Sequence, residues 1–315
     1  MTSRRIRADK RLAPGSTPAR RLLQVAPRPG AALGTEEDNH GGHARSVDER
    51  HQVELKAAIH RNRLGLELAP IYDLASDRFV GVDTVVDGGR RGLASIGVPS
   101  PLRGRGLLRS VEARDLLVAA NTWLVERAIS SLSRVEDQLN MGQTGGQVHV
   151  TVMLDDRFIA DESFLPTVKN AVRRAGVEPR QLLLSVDPDI GFESLWPNLQ
   201  RLKSHGVRVA FEGDVIGPPA TELLRRFPFD VIRIDPMSFS AGQDLPDRDR
   251  RRNQTVASSD LDALVELAQS LRCRIMIDGL ETAQAVRTMR VAGCSEGTGR
   301  ALGPLPVRST QGLAG

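Results

Sequence analysis

The stretch 206-GVRVAFEGDVIGPPATELLRRFPFDVIRID-235 decides the fold. Val207 to Phe211 is a short apolar run that stops at Glu212 and Asp214, Thr221 to Phe227 has helical spacing, and Asp230 to Ile234 is a second apolar run ending in Arg233-Ile234-Asp235. Strand, acidic loop, helix and strand in that order make a βαβ unit with parallel strands. Each strand delivers charged residues at its carboxyl end, where ligand chemistry collects in α/β barrels and open sheets.

The same rhythm extends outward. Upstream, Gln147–Leu154 and Gln181–Val186 read as strands, each followed by a helix, Phe164–Ala175 ending at Gly176 in one case and Ser194–His205 ending at Gly206. Further back, Leu64–Ile71 alternates into a turn at Asp73, Phe79–Val86 is a strand, and Ser110–Leu132 has one broad apolar face. Downstream come a helix at Asp260–Leu271, a strand at Cys273–Ile277 and a helix at Thr282–Val291, closed by CSEGTGRALGPLPV. A helix is expected over Glu49–Arg63, a long loop over Asp87–Arg109 and a polar surface insertion over Pro246–Ser259. About eight strands interleaved with helices give a single (β/α)8 barrel, an α/β fold of the TIM type.

Composition sets the limits. The chain has 315 residues, 40% hydrophobic, with a net charge of +4. No apolar run approaches the roughly 18–20 residues that span a bilayer, and the first residues lack a secretory core, so a cytoplasmic protein without a transmembrane segment is expected. Residues 1–48 form a tail rich in Arg, Pro and Gly that buries little apolar surface and is expected to be disordered. Its basic part, residues 1–28, suits nucleic acid or an anionic surface electrostatically, but the tail holds no aromatic residue for base stacking. Residues 49–307 form the barrel and 308–315 a short C-terminal tail. Cys273 and Cys294 make no CxxC pair and read as small buried hydrophobes. Trp123 and Trp196 lie on helix faces and read as packing anchors.

In this order the chain resembles an EAL domain, the bacterial phosphodiesterase that linearises cyclic di-GMP. The likeness rests on APIYDLASDRFVGVDTVV, VHVTVMLDDRFI, QLLLSVDPD, GVRVAFEGD, FDVIRID and IMIDGLET, which are similar to the family's strand motifs, and AGCSEGTGRALGPLP, which is similar to its ending; together they cover roughly residues 50–307. The resemblance implies two-metal hydrolysis, with Mg²⁺ or Mn²⁺ held by carboxylates and an Asn at strand ends. Carried over position by position, the metal-binding places fall on Asp83, Met153, Ser185, Glu212, Gly213, Asp235 and Asp278, and the catalytic Lys on Arg233.

Most of these groups are altered. Asp83 and Asp278 are one methylene shorter than the family's Glu, Met153 offers a thioether in place of an amide oxygen, and Gly213 offers no side chain. Ser185 stands for a Glu, Thr298 for a Gln, and Asp87 for a phosphate-gripping Arg. Asp83, Glu212, Asp235, Asp278 and Glu281 are expected to form an acidic cluster at the barrel mouth, a remodelled ligand pocket or carboxylates paired with Arg233. We therefore expect no intact catalytic set, with Arg233 vestigial, no cofactor, no cyclic di-GMP binding, and a regulatory role through a protein partner. The alternative is a divergent Mg²⁺- or Mn²⁺-dependent phosphodiesterase acting on cyclic di-GMP or a related phosphodiester.

Overall fold

Alternation along each strand sends every second side chain to one face, and eight strands here close that face into a lumen. A computed structural model of the chain describes residues 56–57, 65–87, 111, 113–139, 144–187, 192–213, 218–234 and 258–307. The strands are β1 (Gly65–Asp73), β2 (Phe79–Asp87), β3 (Thr144–Met153), β4 (Leu182–Val186), β5 (Arg208–Glu212), β6 (Val231–Ile234), β7 (Arg274–Ile277) and β8 (Glu296–Thr298). They form a closed barrel in sequence order.

One strand runs against the expected pattern. β1 is antiparallel to both β2 and β8, whereas every other neighbouring pair is parallel. The reason is local, because the Leu74–Arg78 turn is far too short for a crossover and closes a hairpin instead. Asp73 accepts from the backbone N–H and the hydroxyl of Ser76, at 2.9 and 2.8 Å, and Asp77 takes φ 55°. β8 was not legible as a strand. Its Glu-Gly-Thr lacks any apolar run, yet it is buried and pairs with β7 and β1 to close the seam.

The helices follow the apolar spacing: α1 (Arg114–Gln138), α2 (Asp156–Ile159), α3 (Phe164–Ala175), α4 (Phe192–Ser204), α5 (Pro218–Arg226), α6 (Ser258–Leu271) and α7 (Ala283–Ala292). α1 runs past Leu132 because buried Val135 continues its stripe. α3 ends at Gly176 in the left-handed conformation, as the sequence indicates. α2 is a single turn capped by Asp155, whose carboxylate accepts from the backbone of Arg157, and no periodicity announces it.

Two layers of apolar packing hold the barrel. Inside, Ile71, Leu183, Ala210, Val231 and Met276 contribute one residue each from β1, β4, β5, β6 and β7. Outside, the strands' other faces pack on the helices. There Phe192 and Trp196 of α4 meet Phe227, while Phe229 meets Phe211 of β5, with ring centroids 5.3 to 5.5 Å apart in edge-on contacts. Trp123 and Trp196, both expected to anchor packing, are partly buried against this core. Among the described residues no helix is long and apolar enough to cross a membrane. The expected 1–48 tail, most of the Glu49–Arg63 helix, all but the first residue of the Asp87–Arg109 loop, the insertion up to Ala257 and the 308–315 tail lie outside the described residues.

Candidate functional site

Because Leu183, Ala210, Val231 and Met276 face the lumen, the residues two positions further along the same strands face it one layer higher. Those are Ser185, Glu212, Arg233 and Asp278, at the carboxyl ends of β4 to β7. Asp83 of β2 joins them by the same alternation, paired with Thr151 of β3. The mouth of the barrel is thus lined by polar side chains whose positions are set by strand register alone.

At its centre is a guanidinium. Arg233 grips Asp83 with both ends of its fork, Nη1 to Oδ1 at 2.9 Å and Nη2 to Oδ2 at 2.5 Å. Its Nε donates to Asp278 Oδ2 at 2.7 Å and lies 3.7 Å from Glu212 Oε2. Ser185 Oγ donates to Glu212 Oε2 at 2.5 Å, and Thr298 Oγ1 donates to Asp278 Oδ1 at 3.3 Å. The Arg233 and Asp83 side chains are only 10% and 6% exposed, so water screens their pairing weakly. Paired bonds from a planar fork also fix orientation as well as charge.

One cation faces three carboxylates, and the titration of the cluster follows from that count. Burial opposes the charge on Arg233, but Asp83, Asp278 and Glu212 outweigh it and hold the guanidinium well above its usual range. Burial raises the Asp83 carboxyl, with Arg233 pulling the other way. Asp278 is pushed up to about 6, by burial first and then by the charges of Asp83 and Glu212, against the pull of Arg233.

The structure therefore brings together five of the expected residues: Asp83, Ser185, Glu212, Asp278 and Arg233. Glu281 is not among them, since it is exposed and pairs with Arg300. Met153 is half-buried at the end of β3, and Gly213 follows Glu212 directly. Asp235 and the side chain of Asp87 lie outside the described residues. Sequence reasoning missed the Ser185–Glu212 and Thr298–Asp278 bonds, and also a second polar layer at the opposite end. There His149 Nε2 lies 3.8 Å from Glu296 Oε2, and Arg274 bridges Glu296 at 2.9 Å and Asp73 at 3.2 Å. The signal was present as Arg208-x-Ala210-x-Glu212 and Arg274-x-Met276-x-Asp278, polar residues at period two on both sides of an apolar one. Among the described residues, no group of three or more His, Cys, Asp and Glu is placed to hold a metal ion.

An eight-stranded α/β barrel with a reversed first strand and a carboxylate-lined mouth defines the class. The EAL domain family matches residues 52–304, and the chain belongs to that family. It is 26% identical over 258 residues to an uncharacterized signaling protein of Caulobacter vibrioides, covering 81% of this chain and 29% of that protein. It is also 26% identical over 246 residues to the cyclic di-GMP phosphodiesterase NbdA of Pseudomonas aeruginosa, covering 77% of this chain and 29% of that one. The chain thus spans less than a third of either relative's length. Among solved structures, it resembles the EAL enzyme Bd1971 in its cAMP- and cyclic-di-GMP-bound form, with a TM-score of 0.68 at 14% identity over 84% of this chain and 67% of that one. The PaMucR phosphodiesterase in complex with c-di-GMP gives 0.62 at 21% identity, over 81% and 96%.

Proposed function

We propose that this EAL domain is a regulatory, protein-binding module of cyclic di-GMP-related signalling in which hydrolysis has been lost. The observation that carries the reading is the Arg233 guanidinium, seated among Asp83, Asp278 and Glu212. Those three carboxylates fall on the positions that the family resemblance gives to metal ligands. Here they already have a counter-charge built into the chain. The rest of the donor set also fits Mg²⁺ or Mn²⁺ poorly, because these hard ions want oxygen ligands placed to about 0.2 Å. Met153 offers sulfur, Gly213 nothing, and the Ser185 hydroxyl is spent on Glu212. A divalent ion at this centre would have to break a bidentate pair that is nearly dry.

The test is incubation of the full chain with cyclic di-GMP and either Mg²⁺ or Mn²⁺, followed by chromatography for the linear dinucleotide. The expected product is at the level of the blank. Linear product accumulating with enzyme concentration would overturn the reading. Calorimetry with cyclic di-GMP in the same buffers is expected to be flat.

A second reading is a divergent metal-dependent phosphodiesterase. One observation favours it: three carboxylates still surround one guanidinium, and Asp278 at about 6 is poised to exchange a proton near neutrality. Under that reading Mn²⁺ raises the melting temperature, and Glu212→Ala or Asp278→Ala abolishes the rise.

A further inference from the structure

Away from the mouth, α3 and α4 leave a trough between them. It lies where those helices end and β4 and β5 begin, at the pole of the barrel opposite the carboxyl ends. Its volume is about 390 Å³, within the range of ligand clefts, about 300–1,000 Å³. Its floor is apolar: Val168 and Val172 of α3, Leu202 of α4, and Val207 at the start of β5, each less than a tenth exposed. Its rim is basic, formed by exposed Lys169, Arg173 and His205. No Asp or Glu is among the lining residues.

The rim cations stand apart from their neighbours. Arg174 pairs with Glu126 at 3.2 Å and Arg180 with Glu178 at 2.7 Å. Lys169 and Arg173 have no ion pair among the described residues; Arg173 donates to the neutral Asn170 at 3.0 Å. His205 Nδ1 lies 2.6 Å from the Arg201 carbonyl, which can only accept, so that nitrogen carries the proton. An apolar floor edged by unpaired cations is complementary to apolar side chains flanked by carboxylates. A second copy of the chain fits this poorly. Among the described residues Val291 is the one large apolar side chain fully presented to solvent, 88% exposed, and it follows Arg287 and Arg290 on α7. Docking it would bring cations to a cationic rim.

We propose that this trough is a docking site for an acidic amphipathic segment of a partner protein, its apolar side chains on Val168, Val172, Leu202 and Val207 and its carboxylates on Lys169 and Arg173. It rests on the reading of the barrel as a protein-contact module, and it gives that module a surface and a partner chemistry. Helix-in-groove recognition of this kind reads apolar anchors at i, i+3, i+4 and i+7.

The experiment uses the full chain and two fluorescein-labelled synthetic 15-residue helical peptides, with leucine at the anchor positions and glutamate at the others in one, lysine in the second. Anisotropy is expected to detect the glutamate peptide at least about tenfold more tightly than the lysine peptide, with weaker binding at high salt. Lys169→Glu/Arg173→Glu, both exposed positions, is expected to weaken it at least about fivefold with an unchanged melting temperature. Equal binding of both peptides, or no binding below about 1 mM, would overturn the proposal. So would affinity that survives the double charge reversal, which would put the peptide on the basic residues of the N-terminal tail. Full displacement by sub-micellar decanoate, with no effect of leucine removal from the peptide, would mark an anionic amphiphile site and also overturn it. None of these readouts involves the mouth, so failure here is distinguishable from turnover of cyclic di-GMP there.

Discussion

Removing the Arg233 guanidinium tests the reading of the mouth most directly. In Arg233→Met the stem is kept and the charge is lost, so Asp83, Asp278 and Glu212 stay in place without their cation. The bidentate contacts to Asp83 at 2.9 and 2.5 Å and the 2.7 Å bond to Asp278 all disappear. Asp83 is the most exposed to the consequence, because its side chain is 6% accessible and cannot recover its bonds from water. Breaking a buried pair from one side costs about 3–5 kcal/mol. In a domain of this size each kcal/mol lowers the melting temperature by about 2–4 °C, so a fall of about 6–20 °C is expected.

A loss of that size alone does not prove the pairing, since any core change destabilises. The decisive measurement is the double-mutant cycle with Asp83→Asn, followed by urea unfolding at pH 7. Once the carboxylate charge is gone, the guanidinium has less to neutralise, and Arg233→Met should cost about 1–3 kcal/mol less in the Asp83→Asn background than alone. The comparison pair is Glu281→Gln, which should be additive with Arg233→Met to within about 0.5 kcal/mol because Glu281 pairs with Arg300 instead. A coupling energy indistinguishable from zero for Asp83 and Arg233 would refute the argument that the mouth carries its own internal cation.

Further outcomes follow from other parts of the barrel. Burial first, then the charges of Arg208 and Arg274, hold His149 well below its ordinary 6.5; the unfolded chain takes up that proton and the folded chain does not. Stability from His149 is therefore complete above pH 6.5 and lost as pH falls below it, at up to about 1.4 kcal/mol per pH unit. Glu296, 3.8 Å away and raised by burial above 4.5, works in the opposite sense, its contribution being lost as pH rises through its folded value. Urea unfolding between pH 5 and pH 7.5 should thus be flatter in His149→Asn than in the native chain, and an unchanged slope would remove His149 as the cause. Gly81→Ala would place a methyl 2.5 Å from the His149 carbonyl and 2.9 Å from its ring Nδ1, so a loss of about 1–3 kcal/mol is expected by thermal unfolding. Trp196→Ala removes the ring that meets Phe192 and Phe227 and lies under Arg226, and calorimetry should register a loss of about 2–4 kcal/mol.

The sequence carried the parallel part of this fold because its strands are apolar runs and its helices are periodic. β5, α5 and β6 announce themselves for that reason, and so does Gly176 as a left-handed helix end. β8 escaped notice because Glu296, Gly297 and Thr298 are held by neighbours on both sides and not by any preference of their own. The reversal of β1 was implicit in the brevity of the Leu74–Arg78 turn, which excludes a crossover. At the mouth, the family resemblance placed Asp83, Glu212, Arg233 and Asp278 and left a ligand pocket or carboxylates paired with Arg233 as alternatives, but did not say which carboxylates the guanidinium reaches. Which carboxylates a cation reaches is a matter of side-chain length and register across strands, and Glu281, two residues past the turn at Gly279, falls on the wrong side of that geometry.

The lumen then separates the scaffold from the chemistry of the mouth. Its middle layer, Ile71, Leu183, Ala210, Val231 and Met276, is apolar and insulates the mouth from the polar layer at the other end. Each polar layer pairs its charges within itself: Arg233 with Asp83, Asp278 and Glu212 above, Arg274 with Glu296 and Asp73 below. Among the described residues these ion pairs have no member common to both layers, so a charge exchange at the mouth does not act directly on Arg274, Glu296 or Asp73. The outer helices pack on the opposite faces of the same strands and are equally indifferent to those exchanges. A barrel built in this way can change the chemistry at its mouth while its outside surface, including the trough between α3 and α4, keeps its shape.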